Sequence, residues 1–292
     1  MTPIILAIAA VPALAGLCPK WGPPVQIGSL DPDVLTEASG LAVSRTSDRL
    51  YHMEDSGTGP WFYVSDPSGD DLKKVEVLDF APLDPEDLTL GPCGDKTCLY
   101  IGDIGDNLLI RSDISVALVP EEPAFKDRVR PLSILQLTYP DGPRNAEGLA
   151  VHPNGDLFII TKEEPRKKGT APALIFRLPK KKLLFGGPLE PWGEVDVAAI
   201  NPKTDKYGKI VSSFDISPDG KRFVLLTYAN AIEFDHDLSK GPFKAGRYSK
   251  IPLKALTQQE AVAYLPDGRG LLYTSERKRK KDVPLMRVEC YR

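Results

Sequence analysis

Five stretches of this chain share one pattern of alternation. They are EASGLAVS from Glu37, EDLTLG from Glu86, EGLAVHP from Glu147, SSFDISPDG from Ser212 and EAVAYLPDG from Glu260. Each opens on a polar or acidic residue and then sets apolar residues at every second position, the period of a half-buried strand. Three run into the turns HPNGD, SPDGK and LPDGR, whose residues suit hairpin backbone. Each is followed by a more apolar strand: RLYHMED (49–55), TCLYIGD (97–103), DLFIITK (156–162), RFVLLTY (222–228) and GLLYTSE (270–276). Third and fourth strands follow in most repeats: WFYVSD and KKVEVLDF, ISVALVP and LSILQLTYP, ALIFRLP and GEVDVAAI, AIEFD and YSKIPLKA. The openings recur every 48 to 65 residues, room for four strands with their loops. A helical reading fails, because 28 Pro and 24 Gly punctuate the chain and no window keeps a long 3.6-residue period.

The repeat predicts an all-β fold, a five-bladed β-propeller. Only PLMRVECYR follows the second strand of the last repeat, so its fourth strand is missing. PPVQIGSL (23–30) precedes the first repeat, has the right length, and is predicted to close the ring as that strand, removing an exposed edge. No linker interrupts 18–292, which reads as a single domain. Residues 1–15 read as a signal peptide: an apolar run ends in Ala13-Leu14-Ala15, a small-x-small cleavage site, although no Lys or Arg precedes it. The run is too short for a membrane span.

The cysteines agree with export. Four Cys allow three connectivities. Cys93 and Cys98 flank a Gly-Asp turn and would staple a hairpin, while a closed ring brings Cys18 near Cys290. A secreted or periplasmic location follows, with two disulfides. The formal net charge of -3 argues against a nucleic-acid partner. A monomer is expected. The basic runs at 166–168, 180–182 and 277–281 read as solvated loop faces.

First strands of propeller blades line the central channel, so equivalent positions form a ring. Glu86, Glu147 and Glu260 would crowd one channel and repel unless protonated or neutralised. A hard cation with oxygen ligands resolves that, and calcium tolerates six to eight of them. The repeat order ExSGLA, EDLTL with LYIGD, EGLAV, SSFDISPD and QEAVAY resembles the calcium-activated nucleotidases, the apyrase family. That resemblance implies a five-bladed propeller whose central Ca2+ is held by one residue per blade, here Ser39, Glu86, Glu147, Ser212 and Glu260. Ser212 fits better than Ser213, since Phe214 and Ile216 then keep the alternation. The loops depart from that family, and GDIGDN (102–107) resembles a pattern of secreted bacterial propellers.

Loops after the second strands should crown one end of the channel. They carry Glu54-Asp55-Ser56-Gly57, the GDIGDN stretch, Lys162-Glu163-Glu164, Tyr228-Ala229-Asn230 and Ser275-Glu276-Arg277. Asp103, Asp106 and Asn107 are the candidate catalytic residues, placed to hold a water or a second cation. Lys162, Arg111, Arg144 and Arg277 are the candidate contacts to phosphate oxygens. The three His show no metal-ligand spacing, and no GxSxG, P-loop or GxGxxG occurs. The expected function is a calcium-binding propeller hydrolysing nucleotides or other phosphoesters. The alternatives are a non-catalytic propeller that binds a ligand or protein around structural calcium, and a lactonase-like or esterase-like propeller.

Overall fold

The computed structural model describes residues 16–55, 57, 59–163, 171–276 and 283–291. The signal segment 1–15 and Arg277 lie outside them. Five sheets, antiparallel apart from two short parallel edge pairings, surround one axis. Their inner strands are Ala38–Val43, Pro85–Cys93, Ala146–Val151, Val211–Ile216 and Gln259–Tyr264, one for each of blades 1 to 5. Alternation along each strand sends one set of side chains into the seam on either side. The apolar clusters therefore fall between blades, with Tyr51 and Leu88 in the seam of blades 1 and 2, Leu149 and Phe176 in that of blades 2 and 3. Phe158 and Phe214 fill the next, Leu226 and Tyr273 the one after. Where blade 5 meets blade 1 the seam divides into two clusters, one of Leu41, Leu50, Ala261, Ala263, Leu272 and Leu285, the other of Leu30, Leu35, Ala38, Tyr63 and Val283.

The ring closes at this seam. Val25–Leu30 pairs antiparallel with Val283–Tyr291, from Val25 opposite Arg287 to Leu30 opposite Val283, and completes blade 5. Lys20–Trp21 adds a short pairing against the same strand. Cys18 and Cys290 are bridged, and so are Cys93 and Cys98 across the Gly94-Asp95 turn. Next to Cys18 lies a fully buried ion pair, Arg222–Glu233, at 2.7 Å. Glu233 Oε2 accepts the Cys18 amide at 3.3 Å, and Oε1 accepts the Tyr264 hydroxyl at 3.0 Å. One carboxylate of blade 4 thus holds both the closing segment and blade 5. A buried charge without such partners would cost several kcal/mol.

One strand ends sooner than its pattern predicts. GEVDVAAI stops being strand at Val195, and Val197–Ile200 forms a single helical turn. Asp196 caps that turn by accepting the Ala199 amide at 2.9 Å, a local bond that competes with the sheet ladder. Two short edge pairings, Arg128–Val129 beside Lys73–Val77 and Gly187–Pro188 beside Ser133–Thr138, extend blades 1 and 2. Among the described residues no helix is long and apolar enough to cross a membrane.

The disulfides differ in the loops they close, 272 residues for Cys18–Cys290 and 5 for Cys93–Cys98. In the chain-entropy account these restrict the unfolded chain by about 5.6 and about 2 kcal/mol. Guanidinium unfolding of the Cys18→Ser/Cys290→Ser protein should therefore show the larger loss of stability. A greater loss from Cys93→Ser/Cys98→Ser would contradict the closure argument.

Candidate functional site

Each inner strand begins with the same irregularity. Register shifts between Ala38 and Gly40, Pro85 and Asp87, Ala146 and Gly148, Val211 and Ser213, and Gln259 and Ala261. The residues left without a pairing partner are Ser39, Glu86, Glu147, Ser212 and Glu260. A β-bulge breaks the alternation and re-aims one side chain. Here it releases one polar side chain per blade from the apolar seams, and all five are buried.

Beyond the bulge the inner strands are sheet edges, and their outward amides need acceptors. Neighbouring blades supply them. Asp87 accepts the amide of Leu149 at 3.0 Å, Ser213 that of Val262 at 3.2 Å and Asp215 that of Tyr264 at 2.7 Å. In the ring itself the Ser39 hydroxyl donates to the Glu86 carbonyl at 2.5 Å, and the Ser212 hydroxyl to the Gln259 carbonyl at 2.8 Å.

The three ring glutamates are unequal in partners. Glu147 Oε1 accepts from Lys162 Nζ at 2.8 Å. Glu260 Oε1 accepts from the Tyr228 hydroxyl at 2.6 Å, while its Oε2 is buried with no hydrogen-bond partner. Glu86 stands with Asp55 and Asp84, one carboxylate oxygen from each lying within 4.8 Å of the others. Burial, then repulsion from Glu147, Asp55 and Asp84, pushes Glu86 well above the usual carboxylate range. Burial raises Glu147 to about 7 despite the attraction of Lys162. Burial and the Glu147 charge raise Glu260 to about 8. Lys162 is held charged by Glu147, Glu260 and Glu86 although burial opposes it.

The GDIGDN segment touches this cluster through backbone. Gly105 donates its amide to the Asp84 carbonyl at 2.9 Å. A Cβ at that position would sit 2.5 Å from Asp84 Cγ and 2.5 Å from Glu86 Oε1. Glycine is required there so that the loop can approach the carboxylates. The acids of the segment are occupied in holding it. Asp103 Oδ1 accepts the amides of Leu83 and Asp84 and Arg111 Nη1, at 2.9, 2.7 and 3.0 Å. Its Oδ2 accepts from Arg111 Nη2 and the Ser115 hydroxyl. Asp106 accepts the amides of Ile110 and Arg111, and its own amide donates to Asn145 Oδ1. Asn107 is exposed and accepts from Asn145 Nδ2 at 3.3 Å.

The cations are similarly committed. Arg111 grips Asp103 and the Gly105 carbonyl. Arg144 pairs with Asp141 at 2.5 Å and Glu163 at 3.6 Å. Of the three described candidates, Lys162 alone is bonded to a ring carboxylate. Sequence reasoning missed Asp84, which lies two residues before Glu86 in DPED, and did not single out Asp55 within its loop. A search for acids flanking the repeat opening would have found Asp84, whereas Asp55 follows the second strand of its repeat.

No protein-family model and no curated protein matches the chain. Among solved structures, a gluconolactonase from Xanthomonas campestris is similar at 13% identity and a TM-score of 0.50, covering 96% of this chain and 99% of that one. A luciferin-regenerating enzyme is similar at 12% identity and a TM-score of 0.46, covering 92% and 95%. These likenesses are of fold.

Two outcomes follow from the ring. Raised carboxylate values mean that the folded chain binds more protons than the unfolded one between about pH 4.5 and 8. In chelator, melting temperature should therefore fall as pH rises through that window, and a rise would refute the assigned burial. Gly105→Ala should displace the loop from the carboxylates and flatten that pH dependence; an unchanged profile would show that the close approach is unimportant.

Proposed function

We propose that the channel acids hold a divalent cation, calcium best matching the site, and that the protein hydrolyses a neutral carboxylic ester or lactone there. The observation that carries the reading is the set of bulge residues Glu86, Glu147 and Glu260, joined by Asp55 and Asp84. All donors are hard oxygens, as calcium requires. The orphaned Glu260 Oε2 fits a cation ligand, since a buried carboxylate oxygen otherwise finds a hydrogen bond. Glu86, Glu147 and Glu260 would hold the ion, with the Ser39 and Ser212 hydroxyl oxygens beside them. A bound cation would polarise a carbonyl oxygen of the substrate.

The chain's own residues do the remainder. Lys162 and Tyr228 fix the orientation of Glu147 and Glu260. The Asp55–Asp84 pair supplies the carboxylate base that takes a proton from the attacking water. Asp84 is suited to this role because the Gly105 amide and Asp103 hold its backbone. Asp103 and Asp106 position the loop.

Charge favours a neutral substrate over a phosphoester. The described candidates for gripping phosphate are already paired with acids: Lys162 with Glu147, Arg111 with Asp103, Arg144 with Asp141 and Glu163. A phosphate would add negative charge to a channel already rich in it. The gluconolactonase of similar fold is consistent with a lactone. The two disulfides support action in an oxidising compartment, outside the cell or in the periplasm.

Calcium at a hundred times its dissociation constant should stabilise the protein by about 2.7 kcal/mol over chelator. Glu86→Gln should reduce that gain, and Asp84→Asn should lower kcat for glucono-δ-lactone or p-nitrophenyl acetate at least tenfold. Equal stability with calcium and chelator would remove the cation. Preferred hydrolysis of nucleoside diphosphates would return the phosphoesterase reading, and stabilisation without any turnover would leave a binding module.

A further inference from the structure

We infer that an apolar lip on the channel loop binds the alkyl chain of the substrate, so that the preferred ester or lactone carries a medium-length hydrocarbon tail. The inference rests on the ester-hydrolase reading of the same site and names its substrate class. Leu83, Leu108, Leu109 and Ile110 are 71%, 77%, 54% and 74% exposed. Scattered exposed leucines need no explanation, but these four sit on two segments that hydrogen bonds tie together. Leu83 adjoins Asp84 of the acid cluster, and its amide donates to Asp103 at 2.9 Å. Arg111, next to Ile110, grips that same Asp103 with two guanidinium nitrogens. Gly105, against Asp84 and Glu86, joins the two arms.

The turn is made to present these side chains. Asp106 accepts the amides of Ile110 at 3.1 Å and Arg111 at 2.9 Å, and its carbonyl accepts that of Leu109 at 3.0 Å. Leu109 is thereby held at φ +54°, left-handed backbone that suits Gly or Asn far better than a bulky apolar residue. A polar tip would form the same turn with less strain. Strained backbone that persists is commonly found at ligand sites.

An alkyl chain fits this lip better than a membrane surface does. Asp84, Asp106 and Asp113 lie along the same segments, and their one cation, Arg111, is engaged by Asp103. Anionic lipid would be repelled, whereas a neutral chain leaving the reaction centre meets hydrocarbon at once.

The test uses alkanoyl amides of two to ten carbons, which bind without being hydrolysed, and calorimetry on the calcium-loaded protein. Affinity should rise about two- to fourfold per methylene, fourfold being the value for full burial of a CH2 group. Leu108→Ser/Ile110→Ser should flatten that slope with its melting temperature retained. Leu184→Ser/Phe185→Ser, which alters an exposed apolar pair elsewhere, should preserve the slope. Chain-length dependence without ester turnover would uphold the lip and overturn the hydrolase reading. An affinity flat with chain length, or a slope unchanged in Leu108→Ser/Ile110→Ser, would overturn the lip. So would binding to phosphatidylcholine vesicles that depends on Leu108 and Ile110 while the amides show no slope.

Discussion

A ring of sheets holds its inner strands around one axis only if the last sheet is completed by the first strand. Here that constraint falls on the seam between blades 5 and 1, whose apolar side chains form two separate clusters. The pairing of Val25–Leu30 with Val283–Tyr291 supplies the missing strand, and the Cys18–Cys290 bridge makes the closure covalent. Glu233 adds a polar lock, because its two oxygens reach Cys18, Tyr264 and Arg222 together. The channel depends on this. Glu260 comes from blade 5 and Ser39 from blade 1, so an open ring would draw the two sides of the site apart.

The same geometry creates the electrostatic problem that gives the site its character. Inner strands are edges, and their first residues cannot keep the alternation that fills the seams. A bulge at that point in every blade turns one residue away from the apolar layers. Three of those residues are glutamates, and burial next to Asp55 and Asp84 makes their charge costly. Only one ion pair among the described residues relieves the ring, Lys162 with Glu147. A site whose acids outnumber its cations, with its ring side chains buried, is under pressure either to keep protons or to accept a cation. Either outcome is absent from the unfolded chain, which links the site to the stability of the fold.

The repeat was legible because alternation and turn residues recur with it. Five openings, five following strands and an unmatched C-terminal strand were enough to predict the ring and the strand that closes it. The sequence favours Ser212 over Ser213 because the apolar period continues at Phe214 and Ile216, yet Ser212 leaves the face of those residues only through the bulge between Val211 and Ser213. The bulges were not readable. A bulge leaves the sequence period intact on either side and shows only in the register of the partner strand. GEVDVAAI misled because its period is shared by strand and short helix until Asp196 caps a turn.

The loop acids show a different limit. Asp103 and Asp106 follow a buried strand directly and carry the chemistry of a site, so sequence alone gives them catalytic weight. Asp103 accepts from backbone amides, Arg111 and Ser115, and each Asp106 oxygen accepts a backbone amide. What distinguishes a working carboxylate from a loop-holding one is the count of donors around it, and those donors come from residues up to twenty positions away. Gly105 is the clearer signal in hindsight. Its missing Cβ is explained by the carboxylates it approaches, so Gly105 marks the site more directly than the acids of GDIGDN do.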